Sequence, residues 1–172
     1  MLCVIVKIDK CAAEKLKAIQ RTAVSESAAR PIYGHITVAA YVGDDEAGFI
    51  AFCRALLDGA KRFTVKYTRL DALEETSIVV AAAEKAGVLG ELHRCIAEEY
   101  GDSLNQWTRT DEMWLPHTTL LHDSDMDMID MRDICRKMES RFEPFTAVVE
   151  SIEFSRVTEA GYEIVGGIEL HC

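Results

Sequence analysis

The chain predicts an α+β fold built by duplication: two lobes whose antiparallel sheets surround a central cleft, with helices on the outside. Three observations predict it. Strand-type and helix-type segments alternate along all 172 residues. A His-x-Thr-aliphatic pattern occurs twice, as His35-Ile36-Thr37-Val38 and His117-Thr118-Thr119-Leu120. That pair belongs to a longer repeat, because the 82 positions from His35 to His117 also separate Cys53-Arg54 from Cys135-Arg136 and Phe63-Thr64 from Phe145-Thr146. Nearer the N-terminus the interval is about 75, aligning Val4-Ile5-Val6 with Val79-Val80-Ala81, and the difference is absorbed within residues 101–116. Such a repeat predicts one domain of two pseudo-symmetric halves, about 1–76 and 77–172.

Each element has its own signal. Residues 2–8 (LCVIVKI) are a β-rich run of strand length, broken only by Lys7. Ala12, Leu16, Ile19 and Ala23 recur at helical spacing over about 9–27, and a connection containing Pro31 leads into a strand over 35–42. Gly43-Asp44-Asp45 stops that strand and caps a helix over about 46–60. Residues 63–70 alternate apolar and polar as a half-buried strand does, and 77–83 form a small apolar strand. Leu89, Leu92, Ile96 and Tyr100 mark a helix over 88–100, with His93 beside Arg94 expected on its exposed side. A long loop carries Trp107, Arg109 and Trp114 into the second histidine strand, and Trp114 is expected to plug the core beneath it. Ser124 or Asp125 is expected to cap a further helix ending near Arg141, and 145–154 with 162–170 close the chain as a hairpin.

Composition narrows the function. The formal charge of −10, from 29 acidic against 19 basic residues, argues against clamping long nucleic acids by their phosphates, although a local basic pocket is compatible with it. Six cysteines without a C-x-x-C pair read as reduced thiols rather than disulfides or a zinc site. The short apolar N-terminal run cannot span a bilayer, so a cytoplasmic, monomeric protein is expected. Asp123-Ser124-Asp125-Met126-Asp127 lacks the glycine and glutamate of a calcium loop, and Gly87 to Gly90 has no following Lys-Ser/Thr. No metal, ATP or other cofactor is indicated.

Alternation in a strand puts His35 and Thr37 on one face, and likewise His117 and Thr119. Two imidazoles and two hydroxyls around one small volume suit displacement at phosphorus. Histidine serves as either acid or base near neutral pH, and hydroxyls can donate to non-bridging oxygens where charge builds up.

Paired H-x-T-x motifs half a chain apart in a duplicated α+β chain resemble the two-histidine (2H) phosphoesterase superfamily, in particular its branch of 2′-5′ RNA ligases and RNA 2′,3′-cyclic phosphodiesterases. The resemblance implies that His35 and His117 are the acid–base pair and that Thr37 and Thr119 bind phosphate. It implies a metal-independent hydrolase of RNA processing, acting on RNA 2′,3′-cyclic phosphate ends or small cyclic nucleotides. Reversible 2′-5′ RNA ligation and non-catalytic nucleotide binding are the alternatives. Tyr33, Lys66, Arg69, Trp107 and Arg109 are the further candidate substrate contacts. Many relatives carry an arginine shortly after the second motif, where Leu121-His122-Asp123 stands here, and regular alternation would turn His122 to the face opposite His117.

Overall fold

The computed structural model describes residues 1–23, 34–73, 77–123, 125–159 and 161–171. The elements run β1 (Leu2–Ile8), α1 (Lys10–Gln20), β2 (His35–Tyr41), α2 (Glu46–Leu56), β3 (Phe63–Leu73), β4 (Ile78–Ala83), α3 (Gly87–Tyr100), β5 (His117–His122), α4 (Met128–Glu139), β6 (Phe145–Thr158) and β7 (Gly161–Glu169). Two short 3-10 turns, Gly101–Ser103 and Gln106–Thr108, order the loop before β5.

Aspartates start three of the helices by accepting from otherwise orphaned amide groups. Asp9 accepts from Ala12 N at 2.9 Å, and its second carboxylate oxygen takes Val148 N at 2.7 Å, anchoring α1 to β6. Asp45 accepts from Gly48 N at 2.9 Å, where a Cβ on Gly48 would sit 2.2 Å from the Asp45 carboxylate. At α4 the cap is Asp127, which accepts from Ile129 N and Asp130 N, not Asp125 as the sequence suggested; Ser124, the other expected cap, lies outside the described residues. Asp125 N instead donates to Asp123 in a turn, so the helix begins later than expected.

The seven strands pair antiparallel in the order β2-β1-β6-β3-β4-β5, with β7 added to β6. Long β6 joins the sheet: Val149 to Arg156 pair with β1 on one edge, while Phe145 to Val149 pair with β3 and Ser151 to Thr158 with β7 on the other. One face carries all four helices. Leu16 and Ile19 of α1, Phe49 of α2, Leu89 and Ile96 of α3, and Met131 of α4 share a single core with Val4, Ile36, Tyr67, Val79, Leu120 and Phe154. Among the described residues, no helix lies on the opposite face.

The sheet curls until its first and last strands lie beside one another, and side chains rather than a ladder join them. Thr118 Oγ1 donates to His35 O at 2.8 Å and stands 2.6 Å from the buried Tyr67 hydroxyl. Trp114, fully buried as expected, donates its indole N–H to Thr37 O at 2.9 Å. Farther along β2, Thr108 Oγ1 accepts from Ala40 N and Asn105 N donates to Ala40 O. A strand edge that would otherwise offer bare carbonyls is thus satisfied by the second half of the chain.

Replacing Thr118 by Val strands both the Tyr67 hydroxyl and the His35 carbonyl. Urea denaturation should register a loss of roughly 1–3 kcal/mol, with Thr118→Ser losing less.

Candidate functional site

Register fixes which side chains share the open face. Lys7 pairs with His35 and Ile5 with Thr37; Ala82 pairs with His117 and Val80 with Thr119. Directly paired residues lie on one side of a sheet, so both His-Thr pairs face the helix-free surface while Ile36 and Thr118 point into the core. Thr118, between His117 and Thr119, bonds to His35 O, so the two motifs are neighbours across the junction of β2 and β5. Gly34 enters β2 with φ +68, a conformation glycine adopts freely, and its carbonyl accepts from Ile8 N at 3.1 Å.

Both motifs end in a bulge. Ile5 pairs with Thr37 and Val4 with Ala39, leaving Val38 extra; Val80 pairs with Thr119 and Val79 with Leu121, leaving Leu120 extra. Each bulged carbonyl is bonded by a helix of the other half. Gln20 Nε2 of α1 donates to Leu120 O at 2.7 Å, and His93 Nδ1 of α3 donates to Val38 O at 2.9 Å. His93 also stacks on Trp114, with ring centroids 4.0 Å apart, so a stacked pair holds the carbonyls of Thr37 and Val38 from behind.

His93 was expected to be exposed and is fully buried. Leu89, Leu92, His93 and Ile96 are spaced i, i+3, i+4, i+7, so the helical period itself places the imidazole on the core face. His122 needs a second correction: the Leu120 bulge resets the alternation, and pairing with Ile78 puts His122 on the same open face as His117 and Thr119.

Electrostatics favour neutral imidazoles in the free site. Burial pulls His35 down to about 4, with help from the Lys7 ammonium and then from His117. His117 is also lowered by burial, a change opposed by its Nδ1–H bond to Leu115 O at 2.7 Å. That bond puts the Nδ1 proton on the backbone side and makes Nε2 the nitrogen available for proton transfer.

The other candidates are placed less uniformly. Lys66 and Arg69 lie on the open face of β3, and Arg69 shares a row with Ala82 and His117. Each cation meets a carboxylate, Lys66 with Glu84 at 2.9 Å and Arg69 with Asp71 at 3.6 Å. Trp107 is 38% exposed, in the turn that secures Ala40, and Arg109 Nη2 donates to Leu104 O at 3.3 Å. Neither stands in the histidine rows. Tyr33 lies outside the described residues. The residue that sequence reasoning passed over is Lys7, and its signal was visible as the one charge inside an apolar strand. Among the described residues, no three of His, Cys, Asp and Glu gather as a metal-ligand set, and no helix is long and apolar enough to cross a membrane.

Residues 9–160 match the 2′-5′ RNA ligase superfamily. No curated protein is matched by sequence. Among solved structures, a protein of Thermus thermophilus is 18% identical with a TM-score of 0.66, covering 98% of this chain and 97% of that one. Escherichia coli LigT in its apo form is 16% identical with a TM-score of 0.62, covering 99% and 97%. LigT complexed with 3′-AMP gives 16% and 0.61, covering 98% and 96%. These likenesses are of fold, and the α+β architecture is theirs.

Lowered imidazoles make stability depend on pH with a definite sign. An unfolded chain protonates His35 near 6.5 and the folded chain only near 4, so between those values the unfolded state binds more protons. Stability therefore falls as pH drops through that window, by at most about 3 kcal/mol from this residue. Unfolding free energies measured from pH 7 to 4 should decline less steeply for His35→Asn than for wild type.

Proposed function

The chain belongs to the 2′-5′ RNA ligase superfamily, and from that premise we propose that it is a phosphodiesterase opening 2′,3′-cyclic phosphates of RNA ends or small nucleotides by paired-histidine acid–base catalysis. The observation that carries the reading is the placement of His35, Thr37, His117 and Thr119 on one open face at the junction of β2 and β5. One imidazole takes a proton from attacking water while the other protonates the leaving ribose oxygen. Thr37 and Thr119 donate to the non-bridging oxygens, whose charge grows in the transition state. The bound phosphate raises both imidazoles from their depressed values and supplies the proton-carrying form the reaction needs. The scheme calls for no metal ion or other cofactor.

On this reading the duplicated halves act as one domain, each giving one histidine and one threonine. Lys66 and Arg69 are already matched by Glu84 and Asp71, which favours a short or small substrate over a long polyanion. The same groups run in reverse constitute 2′-5′ RNA ligation, because acid and base exchange roles with direction. A cytoplasmic, monomeric protein acting in RNA processing completes the proposal.

The test is hydrolysis of a panel of 2′,3′-cyclic nucleotides and short RNAs in EDTA. Turnover should survive chelation and fall by roughly 10²–10⁴-fold in His35→Ala and in His117→Ala. The position of the product phosphate identifies the ribose oxygen that leaves. Nucleotide binding without turnover on any of these substrates would replace the enzyme by a binding protein.

A further inference from the structure

The two histidines occupy equivalent places, yet their cross-strand neighbours differ. Lys7 stands directly opposite His35, whereas Ala82 stands opposite His117. The bond from Ile8 N to Gly34 O makes Lys7–His35 a non-hydrogen-bonded pair, the closer of the two antiparallel pair types, in which side chains adjoin. The other groups facing His35 on this side of the sheet are the neutral Ser151 next to Lys7, Glu169 one strand farther on β7, Glu153 one row along β6, and His117 across the strand junction. Among the described residues, the side chain paired directly with His35 is therefore a cation, and its structural counterpart beside His117 is a methyl group.

Resting on the proposed hydrolysis, we propose that Lys7 is a positioning residue that divides labour between the histidines, making His35 the acceptor of the water proton and His117 the donor to the leaving oxygen. An ammonium beside His35 disfavours the imidazolium there, and Lys7 follows only burial among the causes that lower this group. His117 has no cation directly opposite: Arg69 lies one strand farther in its row and meets Asp71 at 3.6 Å, and the Leu115 carbonyl on the Nδ1 of His117 favours the protonated ring. When a phosphate anion arrives, His117 gains the proton first. In the step itself, the water oxygen bonds to phosphorus as His35 takes a water proton. The bond from phosphorus to one ribose oxygen breaks with its electron pair on that oxygen, which receives the proton of His117 Nε2. The product is a phosphomonoester beside a free hydroxyl, and exchange with solvent restores both rings.

NMR titration of the imidazoles in the free protein, paired with pH profiles of kcat/KM on a cyclic nucleotide, tests this. Lys7→Met should raise the His35 midpoint, and with it the acidic limb of the profile, by roughly half to one pH unit, leaving His117 in place. Lys7→Gln should do the same, which guards against one poorly folding variant, and Lys7→Arg should restore the wild-type values. A His35 midpoint that stays put in both neutral variants, or moves as far in Lys7→Arg, overturns the role of Lys7. So does a shift that falls on His117. Wild-type protein that turns over no cyclic phosphate overturns the hydrolytic reading itself, an outcome visible in the kinetics whatever the titration gives.

Discussion

The free edge of β2 is the constraint around which this molecule is arranged. A strand at the end of a sheet exposes unpaired carbonyls and amides, which require partners wherever water is excluded. Here the carbonyls of His35, Thr37, Val38 and Ala40 are bonded by Thr118, Trp114, His93 and Asn105, all from the second half of the chain. Gln20 returns the favour at Leu120. The Asn105 bond belongs to an isolated β-bridge between Tyr41 and Leu104, but the other three on β2 come from side chains, so β2 and β5 approach edge to edge without a ladder while their outward side chains stay open to a ligand.

That arrangement also explains the precision of the open face. The stacked rings of Trp114 and His93 fix consecutive carbonyls behind Thr37, and Thr118 ties the second motif to the backbone of the first histidine. The residue between each His-Thr pair points into the core, so every turn of the alternation serves either packing or the site. A register slip of β2 at Val38 or of β5 at Leu120 would be resisted by a buried hydrogen bond from the opposite half.

Much of this was legible in the sequence, for physical reasons. Strand alternation put each His with its Thr, the 82-residue interval linked the motifs, and Trp114 beside Leu115 pointed to the core. Bulges were not legible, because an extra residue in a strand is specified by its partner's register and leaves no local mark. His122 was therefore assigned to the wrong face. His93 was misjudged because its charged neighbour Arg94 outweighed a helical spacing that in fact buries it. Lys7 was noticed only as an interruption, since its meaning depends on pairing with His35 across a strand boundary.

The sheet's central strand has a further consequence, for the order in which the molecule can be made. Strand β6 is the partner of both β1 and β3, yet it begins at Phe145, more than a hundred residues after β1 ends. During synthesis the ladders open to the early strands are β1–β2, with α1 between them, and β3–β4–β5, with α3 between the last two, each set with an uncovered edge. Contacts so distant along the chain close slowly, because loop entropy must be spent before they reward it. A nascent chain interrupted before Phe145 holds both histidines, both threonines and the bonds of the β2–β5 junction, but it lacks the ladders through β6 that join β1 to β3.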